Sequence, residues 1–296
     1  MFSGSIPALV TPFRDRAIDF PAFAALVEWQ IAAGSSALVP CGTTGEAPTL
    51  SMDEHHALIR ACVETSAGRV PVIAGCGSND TATALEHIAR AADSGADAAL
   101  VVTPYYNRPS QDGLVRHYET LADAARLPIL LYDVPGRTAV TLKVETVARL
   151  ARHPMIIGIK DATGDLGRVA AIRLACGAGF VQLSGNDDSA PGFNAMGGQG
   201  CISVTANVAP ELCAALQAAT LAGDFATART LQLRLYPLHA ALFADNSPAP
   251  AKYALARLGR MDAQVRAPLG DCSAAARVAI DAALAHAGLL APPPAA

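Results

Sequence analysis

The sequence predicts an α/β chain that closes into a (β/α)8 TIM barrel with a C-terminal helical appendage, and three observations carry that prediction. Eight short runs, at 6–10, 37–40, 70–74, 98–102, 129–132, 156–160, 181–184 and 201–205, are nearly continuous in β-branched and aliphatic residues. Parallel strands covered on both faces require such runs. The segments between them have helical period, as in Phe23-Leu26-Val27-Ile31, Leu85-Ile88-Ala89-Ala92 and Val144-Val147-Ala148-Leu150, spaced by three and four as an amphipathic helix demands. Finally, 296 residues accommodate one barrel of about 250 residues with a smaller addition. An open doubly wound sheet shows the same alternation, but eight strand-plus-helix units fit before about Gly223 and favour closure.

After Gly223 no further strand is expected. The segments 226–244, 249–258 and 273–289 all read as helices. The expected organisation is therefore a catalytic barrel domain over 1–223 and a helical domain over 224–296. The last residues, 291–296, contain three prolines, cannot continue a helix and are expected to form a mobile tail.

Composition narrows the class of partner. The chain is 52% hydrophobic and 16% charged, yet every apolar run is bounded by Gly, Pro or polar residues. None reaches the roughly 18 uninterrupted apolar residues of a membrane span. The opening Met1-Phe2-Ser3-Gly4-Ser5 has no basic region and runs into a strand, so neither a signal peptide nor a membrane association is expected. The net charge of -4 is spread without a basic stripe, which argues against nucleic acid. Seven cysteines, an odd number without a Cys-x-x-Cys, read as buried reduced thiols of a cytoplasmic protein. Seven histidines show no His-x-x-x-His spacing, so no metal and no cofactor are expected. The adjacent His55 and His56, after Asp53 and Glu54, read as surface or interface groups.

Lysine is scarce, and its placement is informative. Of Lys143, Lys160 and Lys252, the first is expected in the first turn of a helix and the last on a helix of the appendage. Lys160 ends the strand run Met155-Ile156-Ile157-Gly158-Ile159-Lys160, and the C-terminal ends of barrel strands are where active-site groups project. The bland reading of such a residue is a structural ion pair. The functional reading is an amine nucleophile that forms a Schiff base with a carbonyl substrate and turns it into an electron sink. Only a neutral amine attacks a carbonyl, so that chemistry needs surroundings that disfavour the ammonium.

Three further groups suit this chemistry, each at another strand's end. The turn Gly42-Thr43-Thr44-Gly45-Glu46 offers backbone N–H donors and hydroxyls for a carboxylate. Tyr132 could carry protons, and Arg137, five residues on, could receive a second anionic substrate. Each alone is a weak signal. Together, at one face of one barrel, they point to a class I, lysine-dependent aldolase-type enzyme.

These residues carry a resemblance. Gly42 to Glu46, Thr103-Pro104-Tyr105-Tyr106-Asn107-Arg108-Pro109, Tyr132-Asp133-Val134-Pro135-Gly136-Arg137-Thr138, Gly158-Ile159-Lys160-Asp161-Ala162-Thr163-Gly164 and Ser203-Val204-Thr205-Ala206-Asn207 together resemble the dihydrodipicolinate synthase pattern over essentially the whole chain. The resemblance implies that Lys160 forms a Schiff base with pyruvate, that Tyr132 donates and accepts protons, and that Thr43 links Tyr132 to Tyr106 in a relay. It implies that Tyr106 reaches its place from a neighbouring subunit of a tight dimer, two of which form a homotetramer. Thr44 would hold the pyruvate carboxylate, Ile202 would line the pocket with its backbone, and Gly185 would lie close to the bound substrate. Arg137 would clamp the carboxylate of aspartate β-semialdehyde in a bidentate way that lysine could not reproduce. The implied reaction is condensation of pyruvate with that semialdehyde to 4-hydroxy-tetrahydrodipicolinate, the entry to diaminopimelate and lysine.

The same resemblance carries an effector site for lysine, matched here by His55, Asn79 and Tyr105. Met52 and Thr83 depart from it, standing where a second histidine and a glutamate would be. Loss of that carboxylate removes a charge-assisted hydrogen bond of about 1.5–3 kcal/mol, so weak or absent inhibition by lysine is expected. Sister lyases, such as N-acetylneuraminate lyase or keto-deoxy sugar acid aldolases, share the lysine and tyrosine but need another pocket for the second substrate. A catalytically silent barrel is the reading from a different class, since fold does not fix function.

Overall fold

In a computed structural model that describes residues 2–291, the parallel strands curl into a barrel. They are β1 (Gly4–Pro7), β4 (Ile73–Gly75), β5 (Ala98–Val102), β6 (Ile129–Asp133), β7 (Ile156–Asp161), β8 (Val181–Ser184) and β9 (Gly200–Ser203). A small antiparallel hairpin, β2 (Phe13–Arg14) and β3 (Ala17–Ile18), lies outside this sheet. The order is β1-β9-β8-β7-β6-β5-β4. Closure comes from residues 38 and 39, the second stave, through the parallel bridges Ala8↔Val39 and Leu38↔Val72. Pro7, Pro40 and Pro71 have no N–H to give, so their carbonyls carry the pairing: Val39 N–H donates to Pro7, Leu38 to Pro71 and Gly75 to Pro40. The expected open-sheet competitor is thereby set aside.

Helices separate the strands: α1 (Phe20–Ala32), α2 (Met52–Ser66), α3 (Thr81–Asp93), α4 (Gln111–Ala124), α5 (Pro135–Thr138), α6 (Val144–Leu150), α7 (Gly167–Cys176), α8 (Ala190–Ala195) and α9 (Pro210–Leu221). Their starts are written locally, because Asp19, Ser51, Asp80 and Ser110 each accept an N–H of the first turn, and Ser51 and Glu54 complete a capping box. α9 follows β9, and beyond it the described residues form only helices, α10 (Phe225–Ala241), α11 (Ala249–Arg257) and α12 (Ala274–His286), each within a few residues of its expected span. The mobile tail expected at 291–296 falls, beyond Ala291, outside the described residues.

Alternation along each strand sorts the core into two layers. Ala98, Leu100, Leu130 and Tyr132 face the barrel interior with Ile6, Val39, Ile73, Leu183 and Ile202. Ala99, Val101, Ile129, Leu131 and Ile159 face the surrounding helices. The same period turns Gly158 and Lys160 inward from β7. A Cβ at Gly158 would lie 2.5 Å from the Val181 carbonyl oxygen and 2.8 Å from Leu130 Cδ2. The space below Lys160 on its strand is therefore filled.

Two sequence expectations need correction. His55, read as a surface or interface group, is only 3% exposed. It leads the inward stripe His55, Leu58, Ile59, Cys62 of α2, spaced as a buried helix face must be. Lys252, read as an ordinary helical lysine, is completely buried and paired with Glu46. The seven cysteines are free thiols, and six of them are buried.

Candidate active site

Of the expected residues, Thr43, Tyr132 and Arg137 line a cavity of about 440 Å³ at the strand ends, whereas Lys160, Thr44, Gly185 and Ile202 are not on its wall. Tyr132 and Lys160 are register partners on the paired strands β6 and β7, so both project from the same level of the barrel. The Lys160 amine sits over the Tyr132 ring, 4.2 Å from its centroid. Lys160 is 6% exposed, and its amine makes no ion pair or hydrogen bond among the described residues. The structural ion pair that served as the bland reading of Lys160 belongs to Lys252 instead.

Gly185, just beyond β8, flanks the lysine. A Cβ there would meet Lys160 Cε at 3.1 Å and Ala162 Cβ at 2.6 Å, so any side chain would press on the amine's stem. Ile202 is buried in β9 among the residues of the barrel interior.

The turn after the second stave is wound tightly by its own amides. Gly45 and Ala47 donate to the Gly42 carbonyl and Glu46 donates to the Thr43 carbonyl, while the Thr11 hydroxyl fastens the Gly45 carbonyl at 2.6 Å. Cys41 and Glu46 both take positive φ to allow this winding. No hydrogen bond from the N–H of Thr43 or Thr44 occurs among the described residues. Thr43 lines the cavity, and Thr44 is buried. No hydrogen bond joins Thr43 to Tyr132, although both face the same space.

Arg137 lines the cavity from α5, exposed and without an ion pair among the described residues. The short helix is fixed by Thr138, whose hydroxyl meets Thr103, Val134 and Val140. Tyr106 does not join the site of its own chain. It is 90% exposed, on a backbone with φ of 71°.

The expected effector residues divide. His55 and Tyr105 line the same cavity with Met52, Thr83 and a residue the sequence reading missed, His87. Asn79 does not line it; its carbonyl accepts from Asn107. The His55 and His87 rings lie with centroids 4.0 Å apart and planes tilted by 40°, and His55 Nε2 is 2.7 Å from the Gly75 carbonyl oxygen. Burial, reinforced by the neighbouring His87, lowers the His55 pKa to about 3. Burial also lowers that of His87.

A second missed group lies directly behind the strand ends. Asp133 and Asp161, each one residue past the inward-facing Tyr132 and Lys160, are buried on the outer face of the sheet and share Arg168 of α7. Burial, opposed in part by hydrogen bonds from Thr141 and Leu142, raises the Asp133 pKa to about 6. Among the described residues no group of three or more His, Cys, Asp or Glu gathers as a metal site would require, and no helix is long and apolar enough to cross a membrane.

This arrangement, an unpaired buried amine beside a phenol, an open amide turn and a guanidinium, can capture a keto acid as an imine. Residues 1–287 match the family model described as "Dihydrodipicolinate synthetase family". The chain belongs to this family. A 4-hydroxy-tetrahydrodipicolinate synthase of Rhizorhabdus wittichii is 61% identical over 290 residues, covering 98% of this chain and 100% of the relative. One from Hyphomonas neptunium is 62% identical over 291 residues, covering 98% and 99%. Among solved structures, a chloride-inhibited dihydrodipicolinate synthase from Acinetobacter baumannii complexed with pyruvate superposes with a TM-score of 0.96 at 44% identity, covering 98% of this chain and 100% of that one. These family members carry the synthase name, and none carries that of a sister lyase.

Proposed function

We propose that this chain is a 4-hydroxy-tetrahydrodipicolinate synthase that joins pyruvate to aspartate β-semialdehyde through an imine on Lys160. The observation that carries the reading is the Lys160 amine: buried at a strand end, free of any carboxylate, and 4.2 Å from the centre of the Tyr132 ring. The names and identities of the relatives support the same reading.

The amine attacks the keto carbon of pyruvate and water leaves, giving the imine. A methyl proton then departs to a base, the role of Tyr132, whose ring lies under the amine, and the resulting enamine attacks the aldehyde carbon of the second substrate. The amino group of that substrate closes the ring on the former keto carbon and releases Lys160. Thr44, with an uncommitted N–H at the open turn, holds the pyruvate carboxylate, and the Ile202 backbone and Gly185 leave it room. Thr43 passes protons between Tyr132 and Tyr106. Arg137, unpaired in the mouth, receives the carboxylate of the semialdehyde. Neither a metal nor a cofactor takes part in these steps.

Tyr106 supports a subunit arrangement. A tyrosine 90% exposed on a left-handed backbone has no role in its own chain's packing. We assign it to the site of a neighbouring copy in a tight dimer, within a cytoplasmic homotetramer. The chain divides after about residue 223 into the barrel and a helical part. Met52 and Thr83 leave the cavity beside His55 without the carboxylate that a lysine ammonium would need. Inhibition by lysine is therefore weak or absent, and half-inhibition below millimolar lysine would contradict this.

Borohydride reduction in the presence of pyruvate, followed by peptide mass spectrometry, tests the central claim. One reduced adduct on Lys160 is expected, and an adduct elsewhere or none overturns it. A coupled assay with both substrates tests the product. Arg137→Lys should raise KM for the semialdehyde about tenfold or more, from the loss of a bidentate charge-assisted contact, and leave adduct formation intact.

A further inference from the structure

Arg168 stands outside the cavity, yet it touches the two strands that hold the chemistry. Strands β6 and β7 pair so that Tyr132 faces Lys160 and Asp133 faces Asp161. Because side chains alternate along a strand, the inward turn of Tyr132 and Lys160 forces the next residue of each outward. Both of those residues are aspartates, 0% and 4% exposed, side by side. Two neighbouring buried carboxylates repel, and Arg168 lies between them, with Nε 2.9 Å from Asp161 Oδ2 and Nη2 3.2 Å from Asp133 Oδ2.

Each carboxylate also grips the loop that follows its own strand. Asp161 Oδ1 accepts from the N–H and hydroxyl of Thr163 at 2.8 and 2.6 Å. Asp133 Oδ2 accepts from the Thr141 hydroxyl at 2.8 Å and the Leu142 N–H at 3.0 Å. The second pair of bonds closes residues 133–142 into a ring of chain, and Arg137 sits within it.

Packing alone does not call for a charge at position 133. Only Oδ2 is used, while Oδ1 is buried with no partner. An asparagine oxygen would satisfy Thr141 and Leu142 equally well and would avoid the cost of burying an anion, a cost visible in the raised pKa of Asp133. What the charge adds is the ionic part of the contact with Arg168, which a neutral amide oxygen would accept from more weakly.

We propose that Arg168 is a positioning residue which, through Asp161 and Asp133, fixes the strand bearing Lys160 relative to the loop bearing Arg137, and so sets the second substrate against the enamine. The inference rests on the roles given to Lys160 and Arg137 above. Arg168 itself reaches no substrate. Capture of pyruvate needs only Lys160 and the open turn, whereas bond formation needs both arms in register, so the two steps respond differently to its loss.

The test uses the full chain and three variants: Arg168→Met, Arg168→Lys and the isosteric Asp133→Asn, which keeps the loop bonds. Steady-state kinetics with each substrate varied is compared with borohydride trapping of pyruvate. Arg168→Met and Asp133→Asn should raise KM for the semialdehyde and lower kcat, together reducing kcat/KM about tenfold or more, the scale of one charge-assisted hydrogen bond. KM for pyruvate and the yield of adduct on Lys160 should stay within about twofold of the parent. Arg168→Lys, able to reach one carboxylate but not both, should recover part of the loss. If Arg168→Met does not fold, Asp133→Asn alone decides. Variants that unfold more easily in urea but keep parental kcat and both parental KM values would make the clamp structural only and overturn the proposal. So would an equal loss of pyruvate capture and turnover. A parent chain that forms no adduct on Lys160 instead brings down the Schiff-base reading, and this inference with it.

Discussion

Lys160 and Lys252 are both withdrawn from water, yet only Lys252 has a carboxylate beside it. Lys252 reaches from α11 into the base of the Gly42–Glu46 turn, where its ammonium meets the Glu46 carboxylate, the Gln264 carbonyl and the face of Phe13. Burial holds that amine below the ordinary lysine value, and Glu46 pulls it back up. Lys160, at the mouth of the barrel, has the Tyr132 ring and no anion. Removing a lone ammonium from water costs several kcal/mol, so a chain selected for stability alone would pair both or avoid burying either. The appendage lysine follows the stability rule. The barrel lysine breaks it, and places where a local rule is broken without compensation are where function is to be sought.

Two substitutions test that contrast directly. Lys160→Ala should abolish synthase turnover by at least about 10³-fold and eliminate the pyruvate adduct, because the covalent step has no substitute. The urea unfolding midpoint should stay at or above the parent's, since no ion pair is lost. A large loss of stability would mean that Lys160 is a structural group after all. Lys252→Met should do the reverse. It leaves Glu46 buried without its cation, a change that costs about 3–5 kcal/mol in urea unfolding, while Lys160 still captures pyruvate. Replacing both partners, Glu46→Gln with Lys252→Met, should recover most of that stability, because no uncompensated charge remains. If the double variant is no better than the single, the pair is not what Lys252 provides.

The contrast also explains what could be read in the sequence. Lys160, Tyr132, Thr44 and Arg137 could be singled out because a barrel gives strand ends a common fate, and the strands themselves were legible because burial on both faces makes them apolar runs. The second stave was overestimated at 37–40. Only residues 38 and 39 bridge, because prolines interrupt the donors on either side. The hairpin Phe13–Ile18 was not anticipated. Its turn uses Asp15 and Arg16 at φ of 51° and 68°, without the Asn-Gly or Asp-Gly signal that such a turn normally shows. The pairs Glu46 with Lys252, 206 positions apart, and Asp133 with Arg168, 35 apart, were beyond reach, because tertiary packing alone brings them together. The two aspartates did leave a trace. Each directly follows a strand-end residue already singled out, and alternation alone would have turned both toward the helices.

Histidines extend the same comparison, with a smaller effect. His55 and His117 are buried in their neutral forms, with pKa values lowered by burial to about 3 and about 4 from 6.5. Between those values and 6.5 the unfolded chain binds protons that the folded chain does not. Their contribution is therefore fully present above about pH 6.5 and is lost as the pH falls. Asp133 works in the opposite sense: its pKa is raised to about 6 from 3.8, so its contribution is present below about pH 3.8 and is lost as the pH rises through 6. At about 1.4 kcal/mol per pH unit per group, the two histidines cost about 4 kcal/mol between pH 6.5 and 5, and Asp133 returns about 1 to 2. Urea unfolding should thus show a net loss of at least about 2–3 kcal/mol at pH 5, since His87 and His239, also lowered by burial, add in the same direction, and His55→Gln should reduce that loss by about 2 kcal/mol. An unchanged slope in His55→Gln would mean that the ring accepts its proton in the folded state. The cavity wall beside Tyr105 would then carry a positive charge, a still poorer seat for a lysine ammonium than the missing carboxylate alone would make it.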